Sequence, residues 1–64
     1  MSRYVVKAPS GPGLPLTWQG ERDTLVEARK LGADVSRGRG YLHGQDVRIE
    51  TESGELVEYA GVGG

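Results

Sequence analysis

The sequence predicts a small two-layer α+β domain in which one helix packs on a four-stranded, mainly antiparallel sheet. Three observations predict this fold: alternating apolar residues in the first twenty positions, a capped helical stripe in the middle, and a hairpin near the C-terminus. The expected element order is β-β-α-β-β. A β-grasp-like sheet, with the first and last strands as central neighbours, is one strand order compatible with this layout.

Two alternating segments predict a first hairpin at about residues 3–19. One side of the first segment carries Tyr4, Val6 and Ala8. One side of the second segment carries Leu14, Leu16 and Trp18. The Pro- and Gly-rich residues 9–13 between them predict a loop. Because Pro15 cannot donate a hydrogen bond to a neighbouring strand, we expect the second strand at an edge of the sheet.

The middle of the chain predicts one short helix. Thr24 and Glu27 have the spacing of a capping box, in which the threonine side chain accepts from the amide of the glutamate. A narrow apolar stripe follows at intervals of three residues, formed by Leu25, Ala28 and Leu31. Gly32 is the expected C-terminal stop. Residues 33–46 favour no single structure, and Val35 fits either a short strand or a core position.

The C-terminal hairpin predicts its own register. Glu52–Gly54 suits a three-residue loop with Gly54 in the left-handed conformation. This loop pairs Thr51 with Glu55 and Ile49 with Val57, and it avoids the opposed glutamates of a two-residue loop. The alternation then predicts a core formed by Tyr4, Val6, Leu16, Trp18, Leu25, Ala28, Leu31, Val47, Ile49, Val57 and Tyr59.

Length and composition limit what the chain can be. Sixty-four residues fit one domain, expected over residues 1–60, with a flexible Gly-rich tail at 61–64. A domain of this size has a marginal core, so we expect contact with another protein or self-association. With no cysteine and one histidine, neither a metal site nor another cofactor is expected. The absence of a long apolar run predicts a cytoplasmic chain without membrane contact.

Positive residues concentrate in one segment that predicts a site for nucleic acid or another anion. Residues 1–45 hold seven Lys and Arg against four Asp and Glu, whereas residues 46–64 hold one Arg against five acidic residues. Guanidinium groups bind phosphates, and aromatic rings stack on bases. The candidate residues, centred on the Arg- and Gly-rich segment 37–43, are Arg29, Lys30, Arg37, Arg39, Tyr41 and His43. The alternative is a Gly-rich connection with solvated arginines.

A second candidate surface is apolar. The predicted alternation leaves Val5, Val26 and Leu56 facing outward, where they would form a small contact face for a protein. The sequence holds no recognisable nucleophile, metal-ligand set or nucleotide loop, so no catalytic residue is predicted. The expected function is a small non-enzymatic binding or adaptor module that acts through protein-protein contacts. A nucleic-acid-binding module that uses residues 37–43 is the first alternative.

The last two residues suggest another alternative. Gly63 and Gly64, which follow a β-rich domain, resemble the tail of the ubiquitin-like and sulfur-carrier proteins of the β-grasp families. The resemblance covers these two residues and the coarse topology. It implies a β-grasp fold and a C-terminal glycine that an adenylating enzyme activates.

Overall fold

The computed structural model describes residues 3–38 and 46–60, and in this part of the chain it has one helix on a four-stranded antiparallel sheet. The elements are β1 (Tyr4–Pro9), β2 (Leu16–Arg22), α1 (Leu25–Arg37), β3 (Arg48–Thr51) and β4 (Leu56–Tyr59). The predicted α+β class and the two hairpins are confirmed. The predicted Gly-rich tail, residues 61–64, lies outside the described residues.

The sheet order is β2-β1-β3-β4, and every neighbouring pair is antiparallel. The edge position predicted for the second strand from Pro15 is therefore confirmed. The order differs from a β-grasp-like sheet, because β3 rather than the last strand lies beside β1. The two hairpins thus join through their first strands, and β2 and β4 form the two outer edges.

The core lies between α1 and one face of the sheet. Its fully buried residues are Val6, Ala8, Ala28, Val47 and Ile49. Partly buried apolar residues pack around them, namely Tyr4, Leu25, Leu31, Val35 and Ala60. Most of the predicted core is confirmed. Four predicted core residues are instead exposed, at 38% for Leu16, 63% for Trp18, 37% for Val57 and 46% for Tyr59.

A β-bulge in the second hairpin explains part of this difference. The three-residue loop is present, with Gly54 at a φ of 93° and Thr51 bonded to Glu55. Beyond it, Glu50 pairs with Leu56, as expected, but Ile49 pairs with Glu58 rather than with Val57. Val57 is therefore an extra residue in β4. One extra residue exchanges the two faces for the rest of a strand, so Tyr59 leaves the core side.

The first hairpin contains a second bulge with the same effect. Val6 pairs with Gly20, whereas the next residue, Lys7, pairs with Trp18. Gln19 is the extra residue, and its side-chain Nε2 donates to the carbonyl oxygen of Ala8 at 3.1 Å. Gly20 therefore lies under the helix, while Trp18 lies on the opposite face of the sheet.

Helix α1 begins as predicted but runs past its expected end. The hydroxyl of Thr24 accepts from the amide of Glu27 at 3.2 Å, which confirms the N-terminal cap. Gly32 was the predicted stop, and that prediction is wrong because the helix continues to Arg37 and its cap is Gly38. Val35 consequently lies in the helix and packs against the core.

Gly32 serves a different purpose, which is close packing of the helix against the end of the sheet. A Cβ atom at this position would lie 2.5 Å from the Cβ of Ala60 and 3.3 Å from Cγ1 of Val47. Separations this short require one element to move. The absence of a side chain therefore permits α1 to approach the segment just after β4.

We predict that Gly32→Ala lowers the free energy of unfolding by about 1–3 kcal/mol, although alanine is the better helix former. The reason is the collision with Ala60. Denaturant unfolding of the variant, compared with the wild type, measures the change.

The matched control is the double variant Gly32→Ala/Ala60→Gly, which removes the atom that the new Cβ would meet. We expect the double variant to lose less stability than the sum of the losses measured for the two single variants. Strict additivity of the two single changes would contradict the close approach.

Candidate binding face

The face of the sheet that points away from α1 is the candidate functional site, and we call it the open face. It is built from two rows of side chains that cross all four strands, because residues paired across neighbouring strands point to the same side. The first row is Glu21, Val5, Glu50 and Leu56. The second row is Trp18, Lys7, Arg48 and Tyr59.

The second row places two cations between two exposed aromatic residues. Trp18 pairs with Lys7, Lys7 pairs with Arg48, and Arg48 pairs with Tyr59. Neighbouring strands lie about 4.8 Å apart, so the two aromatic residues stand roughly 14 Å apart at opposite edges of the sheet. Leu16, which pairs with Pro9, extends the apolar surface at the β2 edge.

A buried carboxylate connects the two rows. Oε1 of Glu50 lies 3.0 Å from Nζ of Lys7, and Oε2 lies 3.1 Å from Nε of Arg48. The glutamate side chain is 7% exposed, whereas the two cationic side chains are 37% and 32% exposed. Lys7 and Arg48 are direct cross-strand neighbours and would repel each other. Glu50 offsets that repulsion, so the centre of the open face retains one net positive charge.

At the Nε atom of Arg48, the contact with Glu50 is an ion pair without a well-aligned hydrogen bond. Nε of Arg48 is buried and has no hydrogen-bond partner among the described residues, despite its 3.1 Å separation from the carboxylate. The carboxylate holds the guanidinium group by charge, and charge attraction depends less on angle than a hydrogen bond does. At Nε, the contact is therefore an ion pair that keeps the two side chains close together.

On the helix side of the sheet, another ion pair joins α1 to β4 at the edge of the core. Arg29 donates to both carboxylate oxygens of Glu58, at 3.0 Å from Nε and 2.8 Å from Nη2. This hydrogen bonding lowers the pKa of Glu58 below its ordinary value and raises the pKa of Arg29. The lowered pKa stabilises the fold above the ordinary pKa of glutamate, and that contribution is lost as the pH falls through the lowered value.

The residues predicted to bind nucleic acid are not shown to form one patch. Arg29, Lys30 and Arg37 all lie on α1, but the first and last are separated by eight residues, about 12 Å along the helix. Both arginines already pair with carboxylates, since Nη2 of Arg37 lies 2.8 Å from Oδ1 of Asp34. The remaining predicted residues, Arg39, Tyr41 and His43, lie outside the described residues.

The structure brings together two of the three predicted protein-contact residues. Val5 and Leu56 lie in the first row of the open face, with Glu50 between them. Val26 is 56% exposed but lies in the first turn of α1, away from that face.

Other residues of the open face were missed by the sequence analysis. Alternation predicts core positions for Trp18 and Tyr59, and it predicts no contact among Lys7, Arg48 and Glu50. One sequence signal pointed toward the face: a single narrow helical stripe cannot cover both sides of a four-stranded sheet.

Comparison of the chain with protein-family models, with curated proteins and with solved structures found no match. Over residues 3–38 and 46–60 there is no group of three His, Cys, Asp or Glu side chains that could hold a metal ion. In the same residues, no helix has the length and apolar character needed to cross a membrane. Function is therefore inferred from the side chains of the open face.

We predict that Glu50→Ala lowers the free energy of unfolding by about 1–3 kcal/mol, because it leaves two adjacent cations without their shared carboxylate. Glu52→Ala is the matched control, since Glu52 is an exposed glutamate in the neighbouring loop. We expect the control to change stability by less than about 0.5 kcal/mol. Equal losses in the two variants, measured by denaturant unfolding, would contradict a structural role for the Glu50 cluster.

Proposed function

We propose that the chain is a small non-enzymatic binding module that acts through protein-protein contacts on its open face. The observation that supports this proposal is the exposure of large apolar side chains on the side of the sheet that α1 does not cover. Leu16, Trp18, Leu56 and Tyr59 are between 38% and 63% exposed. Large aromatic residues surrounded by polar groups are typical of binding surfaces.

The charges of the open face favour a protein partner over a nucleic acid. Glu50 neutralises one of the two central cations, and Glu21 brings a further carboxylate to the same face, where Arg3 pairs with it at 2.6 Å. The whole chain has a formal net charge of −1. A surface that binds phosphates usually needs several unpaired cations. A protein surface with apolar side chains and a few carboxylates complements this face better.

Two alternatives stay predictions because they depend on residues outside the described part of the chain. The nucleic-acid alternative depends on Arg39, Tyr41 and His43. The carrier alternative depends on Gly63 and Gly64. The described residues favour neither, since the sheet order differs from the β-grasp-like one and the described arginines of the helix are paired with carboxylates.

Affinity capture from the native lysate tests the proposal, with immobilised wild type and the double variant Trp18→Ser/Leu56→Ser. We expect the wild type to retain a protein partner after nuclease treatment and across a salt series. The double variant should lose at least about 30-fold in affinity, which corresponds to removal of a hot-spot residue. Far-UV circular dichroism confirms that each variant is folded.

Val26→Ser is the matched control, because Val26 is an equally exposed apolar residue on the helix. It should leave capture unchanged. Loss of the partner on nuclease treatment would instead support nucleic-acid binding. Equal effects of the double variant and Val26→Ser would contradict the open face as the site, and recovery of no macromolecule would contradict binding altogether.

A further inference from the structure

We propose that the open face binds an extended segment of its protein partner in which one Glu or Asp residue has an apolar residue two positions away on each side. The inference rests on the proposed function, a protein-protein contact on this face, and adds the chemistry of the partner. It is carried by the second row of the open face, where two partly exposed cations lie between Trp18 and Tyr59.

The two central cations have more hydrogen-bond donors than their shared carboxylate has sites to accept them. The ammonium group of Lys7 carries three N–H donors and the guanidinium group of Arg48 carries five, whereas a carboxylate offers about four lone pairs. Among the described residues, both cations form ion pairs with Glu50 alone. Nε of Arg48 has no hydrogen-bond partner there. The centre of the row therefore keeps donors for a second carboxylate.

The net charge of this centre matches one carboxylate from a partner. Glu50 cancels one of the two positive charges and leaves a single positive charge at the centre. A carboxylate brings one negative charge, whereas a phosphoryl group brings nearly two at neutral pH. The second charge of a phosphoryl group would lie close to Glu50 without a cation to offset it. Charge complementarity consequently favours an acidic residue of a protein over a phosphorylated one.

Apolar side chains flank the centre on both sides. The β2 edge of the open face carries Leu16 and Trp18, and the β4 edge carries Leu56 and Tyr59. Each edge thus offers one aromatic and one aliphatic side chain to an apolar residue of the partner. Buried aromatic anchors supply much of the binding energy at protein interfaces.

The spacing of the row sets the spacing expected in the partner. Neighbouring strands lie about 4.8 Å apart, so the point midway between Lys7 and Arg48 lies about 7 Å from each flanking aromatic residue along the row. In an extended chain, residues two positions apart point to the same side and lie about 6.7 Å apart. An extended segment that crosses the strands therefore places its acidic residue at the centre and its apolar residues at the two edges.

NMR titration of the full chain with blocked peptides tests the proposal. The probe is acetyl-Gly-Leu-Ser-Glu-Ser-Leu-Gly-amide. One control peptide has Gln in place of Glu, and the other, acetyl-Gly-Leu-Glu-Ser-Ser-Leu-Gly-amide, has its carboxylate on the opposite side of the extended chain from the leucines. We expect the probe to bind at least about threefold more tightly than either control, as for a partly exposed ion pair. Its binding should shift the amide signals of Trp18, Lys7 and Arg48.

Two protein variants should change the preference for the Glu peptide over the Gln peptide in opposite directions. Lys7→Gln removes a central cation and should abolish the preference. Glu50→Gln removes the carboxylate that competes with the probe and should increase it. Lys30→Gln is the matched control, because it removes a positive charge from an exposed position on α1, and it should leave the preference unchanged. Damage to the fold would weaken binding in both central variants and does not produce this pattern.

Each other outcome overturns the proposal. Equal binding of the three peptides, or binding of none of them, excludes an acidic residue as the centre of the contact. Equal effects of Lys7→Gln and Lys30→Gln indicate attraction by the overall charge of the chain. A peptide with phosphoserine in place of the glutamate that binds at least about tenfold more tightly than the probe indicates a phosphorylated partner. The proposed function is judged separately by the capture experiment, which compares apolar variants and requires no carboxylate in the partner.

Discussion

One helix of thirteen residues packs on only one face of a four-stranded sheet. This limited coverage determines where the core lies and which apolar side chains stay exposed. The core therefore consists of a single layer of contacts between α1 and the inner sides of β1, β2 and β3. Its fully buried side chains are small or medium in size, from Ala8 and Ala28 to Ile49. The aromatic Trp18 and Tyr59, which would add the most buried area, remain on the other side.

The same limit explains why the open face carries both apolar and charged groups. A sheet with one solvated side normally alternates apolar and polar residues. Here the solvated side keeps Trp18, Leu56 and Tyr59 around a cluster whose carboxylate, Glu50, is almost completely buried. Glu50 holds Lys7 and Arg48 together at the centre of the sheet. The surface is consequently charged at its centre and apolar at its two edges, and its exposed aromatic residues and arginine are residue types enriched in contact surfaces.

The sequence predicted the elements of this fold better than it predicted their faces. Regular alternation located both hairpins, the capping box located the start of α1, and Gly54 located the tight turn. Alternation fails at a bulge, because one extra residue exchanges inside and outside for the remainder of the strand. Gln19 and Val57 are such residues. Neither is a glycine, the residue type that most often indicates a bulge in a sequence. The end of α1 was missed because Gly32 provides close packing rather than a cap. The open face could be predicted only in part, through Val5 and Leu56.

The environment of Trp18 tests the central claim most directly, because the chain contains a single tryptophan. Fluorescence of the folded protein in dilute solution reports on that side chain alone. An exposed indole on the open face should emit at nearly the wavelength of the unfolded chain and be quenched readily by acrylamide. A strongly blue-shifted emission shielded from the quencher would place Trp18 in the core, as simple alternation predicts, and would contradict the open face described above.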